Sequence, residues 1–146
     1  MIPAPVPVRE AERLQMLHDL NILDTPADPR FDSLTAIVRQ VFNVSMVAIS
    51  LVDQNRQWFK SRQNIHAQET SRDISFCGHA ILHNAVMVVP DALEDERFAD
   101  NPLVTGEPFV RFYAGAPLHG RRVRLPYGTL CLLDTSPRTL SGEEQQ

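Results

Sequence analysis

Apolar and polar residues in the first third of the chain alternate with the period of a helix. Between residues 9 and 23, leucines recur on one face and charged side chains take the other, which predicts a first amphipathic helix. A second apolar face covers residues 31–42, and Asp28 followed by Pro29 supplies an N-cap and a first-turn proline. We therefore predict a second helix that ends near Asn43.

The middle of the chain changes to the pattern of strands. The segment SMVAISLVD is β-branched and apolar on both alternating sets of positions, which is typical of a central strand covered on both faces. The polar residues DQNR separate it from QWFKSR, and this pair indicates a β-hairpin whose second strand lies nearer the sheet edge. Residues 63–73 are polar and aperiodic, so we predict a loop there.

The second half of the chain is predicted to add a short helix and three strands. Ser75 can cap a helix over FCGHAILHN, which leads into a strand AVMVV closed by Pro90. Residues 91–108 form an irregular stretch with one helical turn near Asp95, and an irregular segment of this length is usually functional or mobile. The strands FVRFYAGAPL and YGTLCLLD follow, joined by the basic connection HGRRVRLP.

The two ends of the chain carry different signals. Three prolines occupy the first eight residues, so residues 1–8 are predicted to be a flexible arm and residues 9–146 a single domain. Near the other end, Ser141 and Glu144 match the S-x-x-E capping box that begins a helix. Because the sequence stops within the first turn of that helix, we expect the domain to be part of a longer protein.

The order of these elements defines the expected fold class. Strands joined by hairpins, with helices segregated from them, indicate an α+β fold with a mainly antiparallel sheet. Because the first strand is apolar on both sides, helices or other segments are expected on both faces of the sheet.

Composition and charge exclude several classes of function. The 146 residues include 14 basic and 18 acidic side chains, a net charge of −4, which argues against a nucleic-acid partner. The arginines of the basic connection, Arg121, Arg122 and Arg124, are expected to form a solvated loop.

Two cysteines are too few for a disulfide scaffold or a four-thiolate zinc site. No apolar run approaches the ~20 residues of a membrane span, so we expect a cytoplasmic protein without a membrane partner.

Six collinear segments together resemble one known family. They are LNILDTPADPRFDSLTAIVRQVF, VAISLVDQNRQWFKS, ETSRDISFCGHAI, VVPDALEDERFADNPLV, RFYAGAPL and YGTLCLLDTSPRTLS. The chain is similar to GAF domains, small-molecule sensing modules of bacterial signalling proteins and phosphodiesterases. It looks most like the subfamily at the N-terminus of sensor histidine kinases and GGDEF-type diguanylate cyclases.

The resemblance implies about six antiparallel strands, with the terminal helices on one face and a ligand cavity on the other. The short helix and the irregular segment cover that cavity in relatives. Two departures from the family matter. Lys60 is the only lysine, and the spaced Asn-Lys-Phe-Asp-Glu set of cyclic-nucleotide-binding relatives cannot be placed. Cys77 is followed by glycine rather than histidine, so a covalently attached bilin is not expected.

The cavity-lining elements of relatives supply the candidate ligand-binding residues. Arginines there could hold an anionic ligand with a bidentate fork, and aromatic rings could stack on a planar one. The candidates are Trp58, Phe76, Cys77, His79, Asp91, Arg97, Phe98, Asn101, Arg111 and Tyr113.

Cys77, His79 and His83 raise an alternative, because His79 and His83 share a face at i, i+4 and Asp91 could supply a further metal ligand. Because these residues provide no defined fourth ligand, we expect neither a metal ion nor a cofactor. A thiol at a helix N-terminus also has a lowered pKa, so redox chemistry at Cys77 is a further alternative.

The resemblance implies a regulatory domain rather than an enzyme, with no catalytic residue assigned. We expect it to bind an unidentified small molecule, to form a homodimer through its terminal helices, and to act on a covalently attached C-terminal effector such as a histidine kinase or diguanylate cyclase. Two alternatives remain open. One is a dimerising spacer with a filled cavity, and the other is a redox enzyme similar to GAF-type free methionine sulfoxide reductases.

Overall fold

One six-stranded sheet organises the molecule, which a computed structural model describes over residues 1–145. All strand pairs are antiparallel. The helices are α1 (Glu10–Asp19), α2 (Pro29–Phe42), α3 (Phe76–Ala80) and α4 (Pro102–Thr105), with 3-10 turns at Arg72–Ile74 and Ala92–Glu94. The strands are β1 (Met46–Val52), β2 (Arg56–Gln63), β3 (Glu69–Ser71), β4 (Met87–Val89), β5 (Phe112–His119) and β6 (Pro126–Asp134). Their order across the sheet is β3-β2-β1-β6-β5-β4.

Local sequence explains where α2 begins and ends. The Asp28 carboxylate accepts a hydrogen bond from the Arg30 backbone amide at 2.9 Å, and Pro29 is the first helical residue. Asn43 ends the helix in the left-handed conformation, with φ of 51°, which asparagine tolerates better than most residues. The predicted helix is therefore confirmed at both ends.

The first helix is shorter than predicted. It ends at Asp19 rather than near Leu23, because Asn21 takes the left-handed conformation with φ of 52° and stops the helical hydrogen bonding. Leu17 is fully buried against Leu51 and Trp58. The apolar stripe of α1 therefore serves the core of its own domain.

Every residue of β1 is buried, as its two-sided apolar pattern predicts. The loop predicted for residues 63–73 is wrong in part, because Glu69–Ser71 pairs with the start of β2 as an edge strand. The polar side chains of this strand are largely exposed. Its side-chain contacts with β2 are polar, between Glu69 and Arg56 and between Thr70 and Gln57, so the sequence gives no hydrophobic period that could reveal the strand.

The two faces of the sheet carry different layers. On one face, α2 packs Val38 and Phe42 against buried residues of β1, β5 and β6. On the other face, α3 and the irregular segment cover a separate core that includes Phe76, Phe98 and Tyr113. This arrangement confirms the expected α+β fold with helices on both sides of an antiparallel sheet.

The first two residues contact the domain, and residues 141–144 form a local cap. The Met1 ammonium pairs with Asp100, and the Ile2 amide donates to the Arg97 carbonyl at 3.1 Å. At the other end, the predicted capping box forms: the Ser141 amide donates to Glu144 Oε1 at 2.9 Å, and the Glu144 amide donates to Ser141 Oγ at 3.2 Å. Over residues 1–145, no helix combines the length and apolar character needed to cross a membrane.

Candidate ligand-binding cavity

A cavity of about 490 Å³ lies on the sheet face opposite α1 and α2. This volume is within the range of small-molecule sites in proteins. Its floor is formed by β2, β5, β6 and α3, and its rim by residues 64–67 and 107–110. The described residues that line it are Ser45, Met46, Gln57, Phe59, Asn64, Ile65, His66, Ala67, Thr70, Phe76, Cys77, Leu103, Glu107, Pro108, Phe109, Val110, Tyr113, Cys131, Leu133 and Thr135.

Aromatic and aliphatic side chains dominate these walls. Phe59, Phe76 and Tyr113 are almost fully buried, whereas Phe109 at the rim is 46% exposed. Phe109 also has a φ of 58°, a left-handed conformation that a phenylalanine adopts at a cost of about 1 kcal/mol. Residues in strained backbone conformations cluster at ligand-binding and active sites, so Phe109 is a candidate ligand contact.

Gln57 organises the polar side of the floor. Its carbonyl oxygen accepts hydrogen bonds from Ser50 at 2.8 Å and from Ser75 at 3.0 Å, and its amide nitrogen donates to Thr70 at 3.0 Å. Ser75 also accepts from the Gly78 amide and so caps α3, as predicted. These groups satisfy one another without a ligand.

Cys77 lies beside this polar group and has its own partners. Its sulfur is 3.0 Å from Thr129 Oγ1 and accepts a hydrogen bond from Tyr113 Oη at 3.1 Å. The Tyr113 ring lies directly over Gly115, where a Cβ atom would clash with the tyrosine hydroxyl. Glycine at this position on β5 therefore lets the hydroxyl reach Cys77.

The pKa values of the two cysteines at the cavity floor are shifted in opposite directions. Burial raises the pKa of the Cys77 thiol, but the neighbouring Cys131 thiol and the hydroxyls of Thr129 and Tyr113 outweigh burial and hold the pKa below its ordinary value. The interaction with Cys77, together with burial, raises the pKa of Cys131. Burial and the neighbouring Cys77 likewise raise the pKa of Tyr113, so its hydroxyl stays protonated and donates.

Three of the ten predicted ligand-binding residues, Phe76, Cys77 and Tyr113, line this cavity. Trp58 lies on the other face of the sheet, where it packs with Leu17 and Leu51. The alternation along β2 places Gln57 and Phe59 in the cavity and Trp58 beneath α1.

The two predicted anion-binding arginines lie outside the lining of the cavity. Arg97 pairs with Asp95 through two contacts of 3.0 and 2.8 Å, and its guanidinium lies 4.9 Å from the Phe98 ring centroid. Arg111 donates to the carbonyls of Val104 and Val110 at 2.9 and 3.1 Å. Both side chains stabilise the irregular segment.

Four further candidates, Phe98, Asp91, Asn101 and His79, make contacts that stabilise the irregular segment or the residues next to it. Phe98 stacks on Phe76 with ring centroids 4.1 Å apart. Asp91 caps the 3-10 turn at Ala92–Glu94, and Asn101 caps α4 while donating to the Ile74 carbonyl at 3.0 Å. His79 Nε2 donates to the Ile2 carbonyl at 2.8 Å. The short caps and stacked rings thus give the irregular segment its shape.

The metal alternative gains no support from the geometry. Within residues 1–145, His, Cys, Asp and Glu side chains form no group of three or more that could hold an ion.

Several residues that line the cavity were not predicted from the sequence. They are Cys131, Gln57, Thr70 and the two rim segments. For Gln57 and Cys131 the signal was the period-two alternation of β2 and β6, which becomes informative once the position of the helices assigns one face of the sheet to α1 and α2. Thr70 and the rim segments carry no such signal.

With this geometry in place, the family can be stated. The model of the GAF domain family matches residues 26–146, so the chain belongs to the GAF domain family. The resemblance noted in the sequence is thereby confirmed at the level of the family, while the subfamily stays a prediction.

Comparisons with individual proteins agree with this assignment. The chain is 41% identical over 138 residues to a cyclic di-GMP phosphodiesterase of Pseudomonas aeruginosa. The match covers 94% of this chain but only 23% of that relative, so the chain spans about a quarter of its length. The chain therefore matches one part of a larger signalling protein.

Two solved structures show the same fold at low sequence identity. The GAF domain of a phosphoenolpyruvate-protein phosphotransferase from Coxiella burnetii has a TM-score of 0.66 at 10% identity, covering 92% of this chain and 83% of that one. Free methionine-R-sulfoxide reductase of Neisseria meningitidis, solved with its substrate, has a TM-score of 0.64 at 15% identity, covering 92% and 78%.

Proposed function

We propose that this chain is a sensory domain that binds a small, uncharged and largely apolar molecule in the cavity and transmits its occupancy to a C-terminal effector. The observation that carries this proposal is the composition of the cavity walls. Among the described residues, they include several aromatic rings, a single carboxylate, Glu107, and a single imidazole, His66, but no arginine or lysine. An anionic ligand would lose its hydration there and would meet no guanidinium or ammonium group.

The basic side chains near the cavity are engaged elsewhere, which supports the same ligand class. Arg97 is paired with Asp95, and Arg111 is bound to two backbone carbonyls. Lys60 is buried on the other side of β2 and donates to Thr25 Oγ1 and the Pro26 carbonyl, each at 2.7 Å. Recruiting any of them to an anion would break contacts that hold the fold.

A matched pair of fluorescent probes tests the ligand class. N-phenylnaphthylamine is neutral, and anilinonaphthalene sulfonate carries the same aromatic framework with a negative charge. We expect the neutral probe to bind the chain more tightly than the sulfonate. Equal affinity, or preference for the sulfonate, would contradict an uncharged ligand class.

Two variants locate the probe. Ile65→Trp places a larger side chain at the cavity rim and should abolish binding of N-phenylnaphthylamine. Phe109→Ala should weaken binding about fivefold, the effect of losing ~1 kcal/mol of aromatic contact. Leu93→Ala is the matched control, because Leu93 is 48% exposed, as Phe109 is at 46%, but lies outside the cavity lining. If the neutral probe fails to bind the wild-type chain, the alternative of a dimerising spacer is favoured.

The similarity to a much longer cyclic di-GMP phosphodiesterase supports a proposal for the C-terminal effector. We infer that the effector acts in cyclic di-GMP turnover, since the chain is 41% identical to part of a cyclic di-GMP phosphodiesterase. Exchanging this chain for the matching region of the Pseudomonas aeruginosa enzyme tests the inference. The chimera should hydrolyse cyclic di-GMP, and Ile65→Trp should change its rate while Leu93→Ala leaves it unchanged. An inactive chimera, or one indifferent to Ile65→Trp, would argue against coupling through the cavity.

We also propose a homodimer, formed through the outer face of α2. Leu34, Ile37 and Val41 recur at helical spacing and are 45%, 58% and 72% exposed. The helical turn that begins at the capping box follows Leu140, which packs against the same buried cluster as Val38 and Phe42 of α2. In a two-fold dimer, the α2 helices of the two copies would pack against each other, and each would cover the exposed apolar stripe of the other.

A further inference from the structure

The ligand proposal makes no use of a pair of thiols at the cavity floor. Cys77 on α3 and Cys131 on β6 are free cysteines, each 2% exposed, and both line the cavity. They are 54 residues apart in sequence (131 − 77), so the fold alone brings them to one wall. A small molecule inside the cavity therefore lies next to both cysteine residues, although each has only 2% of its surface exposed.

The register of β6 places the second sulfur beside the first. Thr129 and Cys131 are two residues apart on one strand, so their side chains leave the same face of the sheet. The Cys77 sulfur is 3.0 Å from Thr129 Oγ1 and also interacts with the Cys131 thiol. Cys77 thus lies above the stretch of β6 that carries both residues.

The surroundings of Cys77 differ from those of a cysteine that only fills a core. Tyr113 donates a hydrogen bond to its sulfur at 3.1 Å, and the Thr129 hydroxyl lies 3.0 Å from it. Hydrogen-bond donors around a sulfur favour the thiolate, which is the reactive form. Of the two thiols, Cys77 is the more acidic, while the pKa of Cys131 is raised. This asymmetry suits one attacking sulfur and one resolving sulfur.

We propose that Cys77 and Cys131 form a redox-active dithiol that a small hydroperoxide entering the cavity oxidises to an intramolecular disulfide. The dithiol lies in the same cavity as the proposed ligand site, but the proposal rests on the two thiols and does not require that an uncharged ligand is sensed there.

The reaction balances in two steps. The Cys77 thiol first releases its proton, and the thiolate attacks the terminal oxygen of the hydroperoxide. The O–O bond breaks, and the leaving alkoxide or hydroxide takes up the released proton to give an alcohol or water. Cys77 is then a sulfenic acid. The Cys131 sulfur attacks the Cys77 sulfur, the S–O bond breaks, and hydroxide leaves with the Cys131 proton as water. The two thiols lose two electrons in total, and the hydroperoxide gains them.

Mass spectrometry of the whole 146-residue chain tests the proposal, with hydrogen peroxide as the probe. The reduced chain should lose the mass of two hydrogen atoms, and digestion without reductant should yield a peptide that joins Cys77 to Cys131. Dithiothreitol should restore the original mass. A chain that gains oxygen atoms without the cross-link, that forms disulfides between molecules, or that does not react would overturn the proposal.

Three variants separate the roles of the two sulfurs. In Cys131→Ser the sulfenic acid has no resolving thiol, so dimedone should label Cys77. In Cys77→Ser no intramolecular disulfide can form, and the remaining Cys131 thiol should react at least about tenfold more slowly than Cys77 does in the unmodified chain, because burial, which this variant leaves in place, still raises its pKa. Tyr113→Phe keeps the ring but removes the donor to Cys77, and should slow disulfide formation in a chain that still unfolds cooperatively. Equal labelling of both cysteines, or an unchanged rate in Tyr113→Phe, would contradict the assigned roles.

Discussion

Arg13 is a guanidinium that the fold buries almost completely, at 1% exposure. It donates to both oxygens of Glu10 at 2.8 and 2.9 Å and to the Val52 carbonyl at 2.7 Å. Arg72 pairs with the same carboxylate. Burial raises the pKa of Glu10, but the two arginines outweigh it and lower the pKa to about 2. A single carboxylate therefore compensates the buried charge where α1 meets the end of β1.

Removing that carboxylate should destabilise the domain in a pH-dependent way. Glu10→Gln leaves Arg13 without its counter-ion, and we expect a loss of about 3 kcal/mol in the free energy of unfolding at neutral pH. The pKa of Glu10 is lower in the folded state than in the unfolded chain. Its contribution is therefore present above pH ~5 and lost as the pH falls toward 2. Urea unfolding of both proteins between pH 7 and pH 2 measures the difference, which should shrink in acid.

Glu12 offers the control for this experiment. It pairs with Arg9 three residues earlier, as Glu10 does with Arg13 three residues later, but its side chain is 59% exposed. Glu12→Gln should leave the stability unchanged, since solvent screens the pair. Comparable losses in the two variants would mean that helix electrostatics, rather than the buried arginine, account for the effect.

Among the elements, α3 depends on a single serine for its start. Ser75 Oγ accepts from the Gly78 amide at 3.0 Å and donates to Gln57 at 3.0 Å. A helix of five residues has few internal hydrogen bonds. The cap and its buried partner therefore fix the position of α3 over the cavity.

Ser75→Ala should cost about 1.5 kcal/mol of stability, because it removes a helix cap and a buried hydrogen bond. Thermal or urea unfolding measures this loss. Ser71→Ala is the matched control, since Ser71 caps the neighbouring 3-10 turn from an exposed position, with a longer contact of 3.3 Å to the Asp73 amide. The control should lose less than ~0.5 kcal/mol. Equal losses would show that α3 does not depend on its buried cap.

Sequence patterns predict elements better than they predict the cavity. The α2 helix and β1 follow from a cap, a proline and unbroken apolar periods, which are local signals. The β3 strand could not be found, because Glu69–Ser71 has no apolar alternation. Along β2, the pattern separates Trp58 from Phe59 but does not say which of them meets α1. Arg97, Asp91 and Asn101 were plausible ligand contacts by residue type, yet short-range caps and pairs use them, and only coordinates reveal such contacts.

For the whole molecule, the exposed apolar stripe of α2 predicts self-association. Wild-type protein should sediment as a dimer at micromolar concentrations, and Ile37→Glu should shift it to the monomer, because a charge in a two-fold interface meets its own copy. Val8→Glu is the control: Val8 is fully exposed in the arm and lies outside this stripe. Analytical ultracentrifugation over a concentration series measures both. A monomeric wild-type chain at all concentrations would contradict the proposed dimer.

The two outermost strands of the sheet, β3 and β4, are only three residues long each. Short border strands present few free amides and carbonyls, so a foreign β-segment finds little backbone to extend. The domain is thereby protected at both borders against strand addition, and so against growth into fibrous assemblies of its own copies.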